Sequence, residues 1–464
     1  CKSNYTGHLY FEAFEMNGLK VLVTGDLHIG RIPKVSEADI EEISASEAWG
    51  RIVDVAIQEK VLVVCLTGDI ADSHNKFTEA RSVLGKGLSD LGKNGIKTVA
   101  VSGNHDHAVL TRLADSFDSE VFQLLGSEQE WERVIIQDSG VDVLTIDGWS
   151  YGERSVFAQP IESYNFSQHG ELPSLAMIHG EMKDPNTRYA FLSKEKMLKK
   201  RVDGWLLGHI HKRELIESPG DPFVLYPGSP QALHANETGV HSIEIINLSP
   251  AVSPEVKPIP ISTVRYVGVD EIDIDFSSFD EQNGKKDAYN YVFDDIADKI
   301  EKIKDESGEK LKYVVFRLLL KGQTDLAKNF EDIEILQSEL MKMKDFPEII
   351  HGVRCSVEKV DCTLLPKIHN LYDLSRNKSP IGIIALAITE IQEKPEVEYS
   401  QSTRNLFKSG KSEIQNYRKN NNYEIHDEND DGCRGYEISD DEVKNSILSQ
   451  LSAIFLKCRL QIQK

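Results

Sequence analysis

Leu19-Lys20-Val21-Leu22-Val23-Thr24-Gly25-Asp26-Leu27-His28 is a short apolar run that ends in glycine and passes at once into ionisable residues. The first half of the chain repeats that pattern. Val61 to Thr67 leads into Gly68-Asp69, Thr98 to Ser102 into Gly103-Asn104, Leu175 to Ile178 into His179-Gly180, and Trp205 to Leu207 into Gly208-His209. Length and β-branched content make each run a buried strand. Helical patterns at Ser36 to Lys60 and Phe77 to Leu91 separate the early runs, so the chain opens β-α-β-α-β and predicts an α/β layered fold. In open sheets of this kind ligands gather beyond the carboxyl ends of the strands. All five polar clusters fall there, which predicts one convergent site.

A chain of 464 residues exceeds what one hydrophobic core usually serves, so two or three domains are expected. Asp and Glu total 75 against 53 Lys and Arg, a net charge of -22 that works against bulk attraction to phosphate. This argues against a simple DNA-binding module but not against an enzyme that places cations locally. Cys1, Cys65, Cys355, Cys362, Cys433 and Cys458 are scattered without a C-x-x-C pair, which reads as reduced thiols rather than a zinc or redox site. No stretch approaches the roughly eighteen apolar residues of a membrane span, and the residues before Met16 lack a signal peptide's basic start and apolar middle. The expectation is a cytoplasmic protein with no membrane partner. Residues 1–15 read as an extension that need not belong to the native fold, and the catalytic pattern occupies 16–249.

Around Pro250, Pro254, Pro258 and Pro260 that pattern stops, so 250–263 is expected to be a linker. A helix at Tyr291 to Lys304, a strand at Tyr313 to Leu320, a helix at Ile333 to Lys344 and a strand at Val353 to Val360 then predict a small α+β domain over 264–366. Residues 367–464 offer two helices separated by a polar stretch at about 396–438 that is expected to be disordered. The first starts at Ser379-Pro380 and stops at Pro395. The second opens with Ser439 and Glu442 in capping-box spacing and carries Val443, Ile447, Leu451, Ile454, Cys458 and Ile462 along one stripe. Such a stripe must dock on its own chain or on a partner.

Hydrolysing a phosphodiester requires an activated water and neutralisation of the charge growing on the phosphoryl oxygens. Two divalent ions about 3.5 to 4 Å apart supply both, held by carboxylates, imidazoles and amide oxygens. Asp26 and His28 stand two apart at a strand end, where both can face one side. Asp69 ends the next strand, although an Asp after Gly is more often a turn residue or helix cap. Asn104 can lend a carbonyl oxygen without adding charge, and His105 beside it can move a proton. His179 ends the fourth run. His209 and His211 end the fifth on one face, and each would need a separate polar partner if it bound no metal. The combination predicts a dinuclear metal site.

Asp26-Leu27-His28-Ile29-Gly30, Gly68-Asp69, Gly103-Asn104-His105-Asp106, His179-Gly180 and Gly208-His209-Ile210-His211 resemble, in order, the motifs of the calcineurin-like metallophosphoesterases. Gly208 to Arg213, followed by Tyr226-Pro227-Gly228-Ser229-Pro230-Gln231 and Glu237-Thr238-Gly239, is similar to the SbcD branch, which includes YhaO-type DNA-repair exonucleases. The resemblance implies a layered β-sandwich flanked by helices, a small α+β capping domain and C-terminal helices that grip an SbcC-like coiled-coil ATPase. It implies a DNA nuclease subunit with 3′–5′ double-strand exonuclease and single-strand endonuclease activity, with two Mn²⁺ ions in a mixed nitrogen and oxygen set that could also take Fe or Zn, and it admits a homodimer. Asp26, His28, Asp69 and His211 would hold one ion and Asp69, Asn104, His179 and His209 the other, with Asp69 bridging. His105 would be the general acid that protonates the leaving 3′ oxygen.

Asp72 stands where some members of that family place a second catalytic histidine, with His74 two residues on, and this departure touches the exonuclease function. Arg31, Lys34, Lys183, Lys212 and Arg213 follow the motifs closely enough to meet phosphates of DNA, although charge runs are more often solvated faces. A stand-alone phosphodiesterase acting on nucleotides or other small phosphodiesters shares the same metal site, and a scaffold that binds a partner through its tail is a third reading.

Overall fold

Strands β1 (Leu19–Thr24), β2 (Val63–Leu66), β3 (Lys97–Ala100) and β4 (Phe122–Leu124) pair in parallel in sequence order. The structure, a computed structural model, describes residues 18–35, 38–72, 77–167, 172–249, 252–279, 285–322, 324, 326, 330, 349–364, 371–376, 379–420, 444–452 and 454–455. Strands β5 (Glu132–Asp138), β6 (Val141–Trp149), β7 (Ser174–His179), β8 (Gly204–Gly208), β9 (Glu214–Ile216) and β10 (Phe223–Tyr226) form a second sheet in the order β5-β6-β7-β8-β10-β9. The first sheet is completed by β11 (Ser242–Ser249) and β12 (Val252–Pro260), giving β12-β11-β1-β2-β3-β4.

Period-two alternation makes two layers of these strands. Val21 and Val23 of β1 join Cys65, Val99, Leu175, Met177, Leu206 and Leu225 in a core between the two sheets. Leu22 and Val64 point the other way, onto Trp49 and Ile52 of the helix Ala45–Glu59 and Leu84 and Leu88 of the helix Phe77–Lys93. On the far side of the second sheet, Ile178, Trp205, Leu207 and Val224 pack with Trp149, Tyr151 and Met197. The α/β sandwich flanked by helices expected from the sequence is thus present. Each large side chain so buried contributes roughly 1.5–3 kcal/mol relative to exposure.

Three expectations change in detail. Residues 252–260 are not a linker: β12 lies antiparallel to β11 from Ser242↔Pro260 to Ser249↔Val252. Its prolines are tolerated because β12 is an edge strand, whose outward N–H groups have no ladder partner to lose. The single helix expected over Ser36 to Lys60 is broken at Ser44, which is extended at φ -65 and ψ 153 and accepts the Glu47 N–H at 3.2 Å as the cap of Ala45–Glu59. The polar stretch expected to be disordered contains the helix Gln401–Asn420. Burial of Phe407 against Ile388, Ile391, Ile447 and Leu451 outweighs its polar composition.

The chain divides into two compact units: residues 1–268 with 297–316 and 347–358, and residues 269–296 with 317–346 and 359–464. Within the first, β13 (Val264–Val267) pairs in parallel with Tyr313 to Phe316 of β15 (Tyr313–Lys321). The Tyr313 hydroxyl accepts the Asp39 N–H at 3.1 Å and donates to Glu42 at 2.8 Å, and the Tyr266 hydroxyl donates to the Lys34 carbonyl at 3.2 Å. Within the second, β14 (Asp273–Asp275) pairs in parallel with Leu319 to Lys321. The helix Pro380–Glu393, capped by Ser379, gathers Tyr399, Phe407, Ile447, Leu451 and Phe455 into one cluster, so Ile447 and Leu451 of the C-terminal apolar stripe dock on their own chain while Ile454 stays exposed. Val443, Cys458 and Ile462 lie outside the described residues. The helix Lys285–Ser307 and strand Val353–Cys362 appear where expected. The helix expected at 333–344 and the capping-box start at Ser439 lie outside the described residues. Among the described residues, no helix is long and apolar enough to cross a membrane.

Candidate metal centre

β1, β2, β3, β7 and β8 all end at one edge of the sandwich, and the loops leaving them carry the ionisable side chains. Several of these loops turn through left-handed backbone that ordinary residues avoid: Asp26 and His28 have φ 49, Asp69 φ 50 and His209 φ 96. Such conformations cost about 1–3 kcal/mol each and persist where the surroundings over-determine them. The loops also need glycine. A Cβ on Gly103 would lie 2.2 Å from Oδ1 of Asp69, and one on Gly208 would lie 2.1 Å from the Thr67 carbonyl and 2.5 Å from Nδ1 of His179.

Potential ligand atoms of Asp26, His28 and His211 lie within 4.8 Å of one another, as do those of Asp26, Asp69 and His179, and those of His28, Asp72 and His105. Asp26, His28, Asp69, Asn104 and His179 are buried, and His211 and His105 are half-buried. Nδ1–H of His179 donates to the Thr67 carbonyl at 3.1 Å, which turns Nε2 toward Oδ1 of Asn104 at 3.1 Å and Oδ2 of Asp69 at 3.3 Å. Three electron-pair donors that converge in this way require a proton or a cation between them. His211 repeats the arrangement: its Nδ1–H donates to Glu237, and its Nε2 meets Nε2 of His28 at 3.2 Å. The mixed nitrogen and oxygen donors fit two divalent ions.

Electrostatics agree. Burial pushes His28 down to about 4 and His209 to about 3, so both present neutral lone pairs. Burial would also depress His179, but Asp69 outweighs it and holds the imidazole at about 9. The same pairing keeps Asp69 ionised despite burial, whereas Asp26 is raised by burial. Without a metal, His179 therefore carries a proton that a cation would replace.

Contacts link Asp26, His28, Asp69, Asn104, His105, His179, His209 and His211 to one another at this edge. Asp26 is common to two of the clusters. Asp69 reaches His179 through Oδ2 and accepts the His105 N–H through Oδ1 at 2.9 Å. His209 stands beside the clusters, its N–H bonded to Asp26 at 3.1 Å and its ring 5.4 Å from that of His179 and 4.6 Å from that of Tyr189. His105 meets His28 edge to face at 5.0 Å. Among the five basic residues, Arg31 pairs with Asp72, Lys183 with Glu214 at 3.0 Å, and Arg213 with Glu244 at 2.6 Å. Lys34 and Lys212 are exposed. Burial would raise Asp72, but His28 and Arg31 hold it at about 2.

Two carboxylates escaped the sequence reading. Asp106, fully buried, accepts the N–H groups of Gly103 at 2.8 Å, Ile70 at 2.6 Å and Ala71 at 3.4 Å, and so clamps the β3 loop to the β2 loop. Glu237 backs His211. Both stand in quoted motifs, yet nothing in local spacing names their partners.

Residues 19–213 match the family model described as calcineurin-like phosphoesterase. Over 243 residues the chain is 28% identical to the uncharacterized metallophosphoesterase YhaO of Bacillus subtilis (strain 168), covering 50% of this chain and 58% of that protein. It is 23% identical over 224 residues to the DNA double-strand break repair protein Mre11 of Sulfurisphaera tokodaii, covering 48% of this chain and 56% of that one. It is 26% identical over 326 residues to the protein of the same name from Methanosarcina acetivorans, covering 68% and 48%. The chain thus spans about half the length of the curated relatives it matches.

Proposed function

We propose that the chain, whose residues 19–213 match the calcineurin-like phosphoesterase model, is a metal-dependent hydrolase of that superfamily, a two-metal phosphodiesterase that cleaves DNA as a nuclease subunit. The observation that carries this reading is the pair of donor clusters joined through Asp26. By the family resemblance Asp26, His28, Asp69 and His211 would hold one ion and Asp69, Asn104, His179 and His209 the other, with Asp69 as the shared ligand, where the grouped donor atoms themselves share Asp26. Two ions there would acidify a water and neutralise charge on the phosphoryl oxygens; Mn²⁺ is the metal we assign. His105, half-buried and anchored through its N–H to Asp69, would protonate the leaving oxygen. Asp26 and Asp69 accept the N–H groups of His209 and His105, so the carboxylates that would hold the ions also fix the backbone beside them.

Support for DNA as the substrate comes from the relatives named for double-strand break repair. We assign an SbcC-like ATPase as partner and a homodimer as the assembled state. Digestion of end-labelled duplex with Mn²⁺, with and without a co-expressed ATPase, tests this reading. His105→Ala is expected to keep its metal and lose roughly 10²–10⁴-fold in turnover. Intact DNA under all those conditions would reject the nuclease assignment.

One observation favours a small phosphodiester instead. Arg31, Lys183 and Arg213 are each paired with a carboxylate, which leaves less cationic surface for a long polyanion. Rapid hydrolysis of a nucleotide diester with DNA left intact would establish that alternative.

A further inference from the structure

The imidazoles at the candidate centre are backed unequally. Behind His179 stands a neutral group, the Thr67 carbonyl at 3.1 Å. Nδ1 of His28 has no hydrogen-bond partner among the described residues and lies 3.7 Å from Asp72. Behind His211 stands the carboxylate of Glu237, only 8% exposed. From these contacts we infer that Glu237 is a positioning residue for one of the two ions, the one held by Asp26, His28 and His211. It locks His211 in the Nδ1–H tautomer and strengthens Nε2 as a donor. The inference rests on the two-ion reading proposed above.

The contact is built rather than incidental. Oε2 of Glu237 accepts the Leu233 N–H at 2.6 Å, its own N–H donates to the His234 carbonyl at 2.9 Å, and its carbonyl accepts Nε2–H of His241 at 3.2 Å. His241 in turn donates from Nδ1 or accepts there within reach of Ser229, whose N–H is bonded to the His211 carbonyl at 2.9 Å. The loop that carries Glu237 is therefore tied to the backbone of the very residue whose ring it orients. Both carboxylate oxygens are occupied, one by a fixed backbone donor and one by the imidazole. Rotation of the carboxylate would break the first bond to move the second. A histidine aligned by a carboxylate in this manner binds metal roughly 10–100-fold more tightly than one without it.

Glu237→Gln separates alignment from bulk. The carboxamide oxygen can still accept the Leu233 N–H, but its NH₂ then faces Nδ1 of His211 and drives the ring proton to Nε2, where it blocks a metal. Metal-free protein is titrated calorimetrically with MnCl₂, alongside Asn104→Ala, which removes a donor from the other ion position. The unsubstituted chain is expected to show two binding events. Glu237→Gln should weaken one of them by roughly 10–100-fold and Asn104→Ala the other. Unchanged binding in Glu237→Gln, or loss of the same event in both variants, would overturn the inference. Glu237→Asp, which keeps the charge but withdraws it by one methylene, is measured in parallel and should lose less; if Glu237→Gln does not fold, unchanged binding in Glu237→Asp overturns it. Failure of the unsubstituted chain to bind any Mn²⁺ would defeat the two-ion reading itself, and this inference with it.

Discussion

Replacing Asp106 by alanine should unlock the centre without touching a ligand. Asp106 is fully buried and accepts three N–H groups, two of them at 2.6 and 2.8 Å and the third at 3.4 Å. A buried N–H left without an acceptor costs about 1–3 kcal/mol, and the two short bonds dominate, for a gross loss of about 2–6 kcal/mol. Part of this is offset, because burial and the neighbouring Asp69 push the Asp106 carboxyl up to about 7, and its removal relieves that strain. The expected net is about 2–4 kcal/mol, a large share of the roughly 5–15 kcal/mol that holds a domain folded. Urea denaturation of the metal-free protein measures it. Asp106→Asn keeps the volume and one acceptor oxygen, so it should fall between the wild type and the alanine variant. Mn²⁺ affinity should drop with stability, since the clamp joins the loop of Asp69 to that of Asn104. An alanine variant within about 0.5 kcal/mol of wild type, with metal binding intact, would refute the reasoning.

Metal affinity should depend on pH through His179. A group held at about 9 by Asp69 is protonated at neutral pH and must lose that proton to bind an ion, so affinity should rise as pH climbs from 6 and flatten near 9, at close to tenfold per pH unit. Buffer-dependent calorimetry should find one proton released per chain at pH 7, and none released would contradict it. Two glycine replacements should act in opposite directions on stability. In the helix Phe77–Lys93, a Cβ on Gly87 would lie 2.2 Å from Nε1 of Trp49, so Gly87→Ala should cost about 1–3 kcal/mol despite the better helix propensity of alanine. Gly50 faces open space in Ala45–Glu59, and Gly50→Ala should gain about 0.5–1 kcal/mol, read as a higher urea midpoint with unchanged slope.

Strand ends were readable because chemistry and geometry leave the same mark. A buried run stops where a glycine lets the chain turn, and the next residue must serve either solvent or a ligand. Asp26, Asp69, Asn104, His179 and His209 all carry that mark, and the structure brings them to one edge. Asp106 and Glu237 carry it less clearly. Their partners, Ile70 and His211, are 36 and 26 residues away, so only the folded chain reveals the bonds. The departures elsewhere have the same origin. Prolines 254, 258 and 260 suggest a linker until the pairing of β12 at a sheet edge makes them harmless. The polar sequence around Phe407 suggests disorder until one aromatic ring finds a place beside Ile388 and Leu451. Local composition reports the backbone's preference, and tertiary burial can override it.

Anomalous diffraction from crystals grown with Mn²⁺ tests the metal centre most directly. Two peaks about 3.5–4 Å apart are expected, one against Asp26, His28 and His211 and one against Asn104 and His179, with a carboxylate between them. A map with no peak at this edge of the sandwich, or with His179 still bonded to Asn104 and Asp69 at millimolar Mn²⁺, would contradict the account.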